Sequence, residues 1–497
     1  MEISFEGREA LIYKEYACQI RRIQESAESV VPDTEADIQK IAGIQSGVLL
    51  KSKDLSSRGV TISGELYASV LYIQEGEQGI GSIRIRKPFT IEYDVEGLES
   101  EMLAQISLLL QGTDVRLVNP RKISMSFDVE GQLFCYRSES LCIDASLPEN
   151  TGGLHARMEE QTITLPKAVC EKSVTVNEQF LFTEGQTAPN EIISEKTQLL
   201  AADCQLIGSK VIIKGSVEIN ACGLNEDALP ALYSFSTPFS QIIDVGVESM
   251  RFCTVRPEIT GAYFDLIDTI SGGKALDMEL HAVLQIVCCE DRQIRCVADA
   301  YSNVMPAQLI SQTQEFAITS SLSAENLSGE ERVSLMEKCD ELLCVLASPS
   351  RLTADSGKLS AGMTLDFLFR NGEGKLSACR RTIALSEDVG ERRLRVLNIG
   401  SIRCSEKLDG EFADCSVSIE LQCAESKKES ISGIRGVVLN EENPYVQGSL
   451  PTLTLVRREG ESLWNLAKRY HSSEERIREM NEDADTSVRM LLIPKCL

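Results

Sequence analysis

A strand pattern recurs along the chain at intervals of about 150 residues, and this repetition constrains the fold more than any other feature. Apolar residues alternate with polar residues in segments around Gly64, Gly215 and Met363. A period of two places the apolar side chains on one face of a β-strand and the polar side chains on the other. Gly64 and Gly215 fall in register, whereas Gly362 is displaced by one position. The pattern predicts three related β-rich units, of which the third is the most divergent.

Two further landmarks follow the alternating strand in each unit. The first is a Pro-Phe pair, Pro88-Phe89 and then Pro238-Phe239, which Thr382-Ile383 replaces in the third unit. The second is a closing strand whose inward residues end in a cysteine, so we expect these thiols to pack in the core. The inward residues are Met125, Phe127, Val129, Gly131, Leu133 and Cys135, then Met278, Leu280, Ala282, Leu284, Ile286 and Cys288, then Cys415, Val417, Ile419, Leu421 and Cys423.

The alternation also predicts the fold class. Antiparallel sheets with one solvated face alternate in this way, so a sandwich is favoured over a parallel α/β sheet. One stretch, Val333–Ala347, fits a helical period instead and is expected to form a helix. We therefore expect a mainly β protein with three β-rich, sandwich-like repeats in tandem, whose strand edges can pair with other chains. The expected limits are 1–150, 151–295 and 296–439.

Charge and cysteine spacing exclude several classes of protein. The 497 residues carry a net charge of −25, all of it in residues 1–451, which argues against nucleic acid or an anionic membrane as partner. The 17 cysteines include no Cys-x-x-Cys pair, so we expect reduced, buried thiols rather than a zinc ribbon. Met1–Gly7 lacks the features of a secretory signal, and no stretch approaches the roughly 18 apolar residues of a membrane span. These observations favour a cytoplasmic protein.

A different module follows a turn-rich linker at residues 440–451. Residues 452–497 carry eight basic and eight acidic side chains and read as strand, helix, helix, strand. Ser462 is a candidate cap of the first helix. Ser472 and Glu475 form a capping-box pattern that is expected to open the second helix.

This segment resembles the LysM module in the order and spacing of its residues. The resemblance implies a small βααβ domain with a shallow groove for N-acetylglucosamine polymers. Glu461 stands where the family usually has Asp and Val488 where it usually has Gly, and Trp464 is interpreted as a packing residue rather than a sugar platform. The groove or partner-binding positions are Gly460, Glu461, Ser462, Leu463, Asp485, Thr486, Ser487 and Val488, and the core positions are Trp464, Leu466, Ala467, Tyr470, Ile477, Asn481, Ile493 and Pro494.

The combination of repeats and a terminal LysM resembles the SPOCS (spore coat assembly) domain proteins. Val31–Ile38, the strand around Gly64 and the Pro88-Phe89 pair carry this second resemblance. It implies a coat scaffold made in the mother-cell cytosol. It further implies that the LysM binds protein and recruits a coat basement-layer ATPase to the forespore surface.

Catalytic signals are weak throughout the sequence. His155, His281 and His471 stand in no metal-binding spacing, and no Gly-x-Ser-x-Gly elbow occurs, so we expect no catalytic residue, metal or cofactor. The sequence therefore favours a non-enzymatic scaffold with possible self-association, whose partner contacts would include exposed arginines of the LysM. The alternatives are a peptidoglycan-binding cell-wall protein, which would need export, and an enzyme acting on spore polymers. The arginine candidates are Arg457, Arg458, Arg469 and Arg478.

Overall fold

The computed structural model describes most of the chain, with short gaps in the three repeats and in the LysM segment. The expected fold class is confirmed, because the described residues form mainly β-strands and only two short helices. Among them, no helix is long and apolar enough to cross a membrane. The described residues are 1–76, 79–148, 153–182, 187–226, 228–270, 272–355, 357–445, 452–458, 460–481, 484 and 490–495.

Six strands in the same order make up each repeat. After a short β1 (Glu2–Ser4), the first unit contains β2 (Glu6–Val30), β3 (Ile38–Ser56), β4 (Gly59–Gln74), β5 (Ile80–Asp94), β6 (Leu103–Asn119) and β7 (Lys122–Ser146). The second contains β8 (Leu154–Leu181), β9 (Glu191–Ile207), β10 (Lys210–Leu224), β11 (Pro230–Asp244), β12 (Phe252–Asp268) and β13 (Lys274–Ser302). The third contains β14 (Ala307–Ser334), β15 (Cys339–Asp355), β16 (Lys358–Asn371), β17 (Leu376–Asp388), β18 (Leu394–Asp409) and β19 (Phe412–Leu439).

Each unit is a sandwich of two antiparallel three-stranded layers. The second, third and fourth strands form a meander, for example β3-β4-β5, and the closing strand pairs with the first and fifth strands, for example β2-β7-β6. The apolar residues that alternation predicts to face inward fill the three separate cores. Cys135, Cys288 and Cys423 are at most 1% exposed, so these three closing-strand thiols are core residues.

A glycine and a phenylalanine face each other across neighbouring strands in the first two units. Gly64 on β4 is the register partner of Phe89 on β5, and Gly215 on β10 is the partner of Phe239 on β11. A Cβ atom on either glycine would overlap the phenylalanine ring, so the missing side chain lets the ring lie across the strand. In the third unit Met363 faces Ile383 instead. The shared glycines and Pro-Phe pairs of the first two units therefore reflect the same glycine–phenylalanine packing.

The three units pack against one another around a common axis, and each unit contacts both of the others. Three buried clusters along this axis each draw side chains from all three units. In addition, β1 pairs with β19, so the start of the chain is joined to the third unit. Representative members of the clusters are Ala42, Cys222 and Cys344, then Ile12, Ile163 and Phe316, then Phe134, Val287 and Leu397.

The polar faces near the axis are buried, which corrects the expectation that every sandwich keeps a solvated face. Gln132 and Gln285 on the closing strands are 2% and 0% exposed. Alternation identifies the polar face, but the neighbouring unit covers it and provides hydrogen-bond partners in place of water.

Three glutamines, one on each closing strand, connect the units in a cycle. Gln285 of the second unit donates to the Ile106 carbonyl and accepts from the Ile106 amide, both at 2.7 Å. Gln132 of the first unit donates to a carbonyl of the third, that of Val396, at 2.9 Å. Gln422 of the third unit donates to the Ala201 carbonyl of the second at 3.0 Å. Each unit therefore donates from one glutamine to a neighbouring unit and accepts from a glutamine of the other.

Two local expectations differ from the structure. The helix expected over Val333–Ala347 is wrong, because β14 continues to Ser334 and β15 begins at Cys339. Extended pairing of β14 with β19 fixes this backbone as strand, and Met336 turns it with a positive φ of 69°. The expected limit between residues 295 and 296 falls inside β13, whose pairing with β8 continues to Ser302.

The C-terminal segment forms a small βααβ domain, as predicted. Its second helix is capped by Ser473, which accepts from the Arg476 amide, and not by Ser472 as expected. The Ser472 hydroxyl instead donates to the Pro494 carbonyl, which ties it to the last strand. Residues 446–451 of the expected linker lie outside the described residues. The elements are β20 (Leu453–Arg457), α1 (Leu463–Arg469), α2 (Glu474–Met480) and β21 (Met490–Pro494).

Candidate functional site: the LysM domain and its seat on the second unit

The LysM domain has its own small core between the two helices and the sheet. Tyr470 and Pro494 lie half-buried at its border, and the Tyr470 amide donates to the Leu466 carbonyl at 3.0 Å to end α1. Since a fully buried aliphatic side chain contributes about 1.5–3 kcal/mol, the sequence-predicted core residues can hold the domain together. The buried residues of this domain are Leu463, Trp464, Leu466, Ala467, Ile477, Ala484, Leu491 and Ile493.

Asn481 joins the end of α2 to the last strand. Its side-chain nitrogen donates to the carbonyls of Ile477 and Leu492, each at 2.7 Å. Its side-chain oxygen accepts from the Leu492 amide at 2.9 Å. Asn481 thus satisfies backbone groups at a helix end that would otherwise need water.

The first rim of the expected groove is held by contacts within the domain. Gly460 has φ of +82°, a conformation that favours glycine. The Glu461 carboxylate pairs with Arg469 at 2.7 Å, and Ser462 caps α1 by accepting from the Asn465 amide at 3.2 Å. The opposite rim, Asp485, Thr486, Ser487 and Val488, lies outside the described residues.

The four candidate arginines have different surroundings. Arg458 donates to the carbonyls of Glu461 and Ala484 at 2.9 and 2.8 Å, so it is a brace inside the domain. Arg469 is engaged with Glu461, and Arg478 lies 3.9 Å from Glu474. Arg457 is exposed on β20.

Helix α1 rests on the end of the second unit through a half-buried acid, Asp299. Trp464 Nε1 donates to Asp299 Oδ2 at 2.7 Å, and Lys468 Nζ donates to Asp299 Oδ1 and Oδ2 at 2.7 and 3.0 Å. Burial acts to raise the pKa of Asp299, but the Lys468 and Trp464 hydrogen bonds hold that pKa below its usual value. The carboxylate therefore stays charged and links the two domains.

A ring cluster lies beside this acid. Tyr301 packs edge-on against Trp464, with ring centroids 4.8 Å apart, and its hydroxyl donates to the Ser472 carbonyl at 2.9 Å. His155 stacks on Tyr301 with ring centroids 5.1 Å apart, and Arg157 lies 5.9 Å from the Trp464 ring. Burial lowers the pKa of His155, which favours a neutral ring at pH 7. We call Asp299, Tyr301, His155 and Arg157 the LysM seat.

Strand pairing brings the four seat residues together. Tyr301 is the register partner of His155, and Asp299 is the partner of Arg157, so all four project from one face of the β8–β13 ladder. His155 lies on β8 and is half-buried, which its spacing to the other histidines does not indicate. The sequence interpretation missed Asp299 and Tyr301, although their i, i+2 spacing on the closing strand could have indicated a shared face.

Trp464 faces the seat rather than an open groove. Only 6% of its surface is exposed. Tyr445 makes a further contact beside the seat: its ring lies 3.8 Å from that of His471, and its amide donates to the Val304 carbonyl at 2.8 Å. The LysM domain is therefore also linked to the chain just after β13.

Outside this region, the described residues offer little catalytic geometry. His281 lies near Thr175 and Glu279 on the surface of the second unit. No group of three or more His, Cys, Asp or Glu side chains within the described ranges is arranged to hold a metal.

Fold and site together define a modular protein, with a body of repeated β sandwiches and a small βααβ domain seated on it. Residues 458–490 match the family model of the LysM domain. Residues 37–118, which run from the start of β3 into β6, match the family model described as "SipL, SPOCS domain". The chain therefore combines a SPOCS domain in its first unit with a C-terminal LysM domain, as the resemblances indicated. No curated protein and no solved structure matches the chain.

Proposed function

We propose that this protein is a non-enzymatic scaffold of spore coat assembly. It acts at the forespore surface in the mother-cell cytosol, where its LysM domain recruits a coat basement-layer ATPase. The SPOCS and LysM matches support a spore coat role, since both are binding or scaffold domains. The observation that carries the proposal is the LysM seat, which fixes the domain and presents its outer surface in one orientation. A fixed orientation reduces the entropy that a partner loses on binding.

The outward face of the LysM sheet has the composition of a protein-binding surface. Residues on β20 alternate between the interior and the solvent, and Leu455 is 60% exposed. Its register partner on β21 is Leu492, and Arg457 lies at the end of the same face opposite Met490. An exposed apolar patch beside an arginine is typical of protein interfaces. The outward apolar residues are Leu453, Leu455, Met490, Leu492 and Pro494.

The body adds surfaces for weaker, repeated contacts. Each meander ends in a strand with no further hydrogen-bonded neighbour among the described residues, namely β5, β11 and β17. Several weak contacts on one molecule strengthen binding through effective concentration. This arrangement supports the idea that the scaffold also associates with itself.

Substitution of Leu455 tests the recruitment proposal directly. Leu455→Glu places a charge on the outward face without changing the LysM core. Leu117→Glu is the matched control, because Leu117 is 41% exposed on the first unit, far along the chain from the LysM. We expect Leu455→Glu to lose co-purification with the basement-layer ATPase and to mislocalise as a fluorescent fusion during sporulation. Recruitment at the wild-type level by both variants would refute the proposal.

Peptidoglycan glycan is the second candidate ligand, and the LysM match itself favours it. The glycan site would use the Gly460–Leu463 rim rather than the outward sheet face. Binding to purified peptidoglycan that survives Leu455→Glu would support the glycan function. Absence of such binding together with loss of ATPase recruitment would support the protein-binding function.

A further inference from the structure

A cavity of about 110 Å³ lies where the three units meet. The first unit lines it from β3, β4 and β6, the second from β9 and β12, and the third from β15 to β18. Since a water needs roughly 10–15 Å³ of such space, there is room for a ligand of several heavy atoms. We call this space the axial cavity.

Lys196 brings a positive charge to the axial cavity. Strand alternation turns Leu199 into the core of the second unit, so Lys196, an odd number of positions away, turns to the axis. Among the described residues, no carboxylate lies within ion-pair distance of its ammonium group, and only burial acts on it. Burial lowers the pKa of Lys196 to about 8, which leaves most of the ammonium charged at pH 7.

The other ionisable groups of the cavity do not balance this charge. Burial raises the pKa of Glu258 to about 8, so this carboxyl is mostly neutral at pH 7. Arg380 is engaged by Asp366 through contacts of 2.6 and 3.0 Å. Burial raises the pKa of Tyr67 to about 12, which keeps its hydroxyl protonated. The net charge facing the cavity is therefore positive.

Two hydroxyl protons add hydrogen-bond donors. The Tyr67 oxygen accepts from the Thr197 amide, which leaves its own proton to donate. The hydroxyls of Ser46 and Thr113 lie 2.9 Å apart, so one of them donates to the other and the second proton of the pair stays available. Positive charge and hydroxyl donors together suit an anion with several oxygens.

We propose that the axial cavity binds a small oxyanion, a carboxylate or a phosphate, held by Lys196, Tyr67 and the Ser46–Thr113 pair. Because Lys196 belongs to the second unit and the hydroxyls to the first, a bound anion joins separate units. The third unit closes the cavity with Arg380 and Asn398. The anion therefore stabilises the assembled body, and its effect grows with its concentration above the dissociation constant.

Thermal unfolding of the full chain with sodium phosphate or sodium acetate at constant ionic strength tests the proposal. We expect a saturable rise in Tm for at least one anion, and the two salts distinguish phosphate from carboxylate. Lys196→Met should abolish the anion-dependent rise while raising the anion-free Tm, since it removes an uncompensated buried charge. Lys214→Met, on the exposed face of β10, should behave as wild type.

Calorimetric titration of the unsubstituted protein with sodium acetate provides a readout that needs no variant. From pH 7 to pH 9 the affinity should fall at least tenfold, because Lys196 loses its proton and Glu258 gains a charge. Tyr67 and Arg380 keep their protonation over this range, and acetate keeps its charge. An equal Tm rise in wild type and Lys196→Met, or no saturable response to either anion, would overturn the proposal.

Discussion

Trp464 donates its indole hydrogen to Asp299 at 2.7 Å, across 165 residues of sequence. The single tryptophan of the chain therefore lies at the contact between the LysM domain and the second unit. Trp464, which the sequence analysis interpreted as a packing residue, anchors the LysM domain on the second unit.

Asp299→Asn should loosen the LysM seat. The variant removes the ion pair with Lys468, and hydrogen bonds to charged groups contribute roughly 1.5–3 kcal/mol. We expect red-shifted Trp464 emission and stronger acrylamide quenching, with Asp265→Asn on the exposed surface of the same unit as control. An unchanged emission spectrum would show that the seat does not depend on this charge.

Acid should weaken the same contact. The pKa of Asp299 is lowered in the folded protein, so its stabilising effect is complete above the unfolded-state pKa and is lost as pH falls through the folded-state value. We expect Trp464 emission to shift below about pH 4, the usual range of an aspartate. Asp299→Asn should lack this transition, and a transition that persists in that variant would assign it to another group.

Gly64→Ala should destabilise the first unit by about 1–3 kcal/mol, because its Cβ meets the Phe89 ring. Phe89→Leu leaves a smaller side chain opposite the new methyl group. In a double-mutant cycle by chemical denaturation, the combined variant should lose less free energy of unfolding than the sum of the two. Simple additivity would argue against steric contact between these positions.

The three linking glutamines should differ in their contributions. Gln285→Leu leaves both backbone groups of Ile106 without a partner, and each unsatisfied buried group costs about 1–3 kcal/mol. Gln132→Leu removes the bonds to the Val396 carbonyl and to the Glu130 carboxylate, which keeps Arg22 as a partner. Gln422 is half-buried, so water can replace its amide. Denaturant unfolding of the full chain should rank the losses Gln285, Gln132, Gln422, and equal losses would contradict this account.

Deletion of residues 452–497 should abolish partner recruitment and leave the β body folded. The deletion exposes Tyr301 and Asp299, so a modest fall in Tm is expected. Circular dichroism should retain the β signal while co-purification with the partner is lost. Recruitment by the truncated chain would place the partner-binding surface on the body.

Much of the interior could be predicted from alternation alone. The inward residues of the closing strands, such as Phe127 and Leu280, fill the cores because a period of two maps directly onto the two faces of a strand. The same alternation shows which strand face is polar, but it does not show whether a neighbouring unit covers that face. For this reason the burial of Gln132 and Gln285 could not be predicted.

The candidate site was partly within reach of the sequence. The LysM helices follow from local spacing and capping, with an error of one residue at Ser473. The spacing of Asp299 and Tyr301 indicates a shared strand face, but no local pattern shows that the end of β13 meets a domain more than 150 residues further along the chain. Long-range packing decided both the seat and the strand at Val333–Ser334.

The pairing of β1 with β19 brings the first and last strands of the body together. The amino group of Met1 donates to the Leu439 carbonyl at 3.0 Å, so the two ends of the body meet. The glutamine contacts are head-to-tail and close after three units. The body is therefore a ring with one seam, and a circular permutant that closes this seam and opens between β7 and β8 should fold to the same ring.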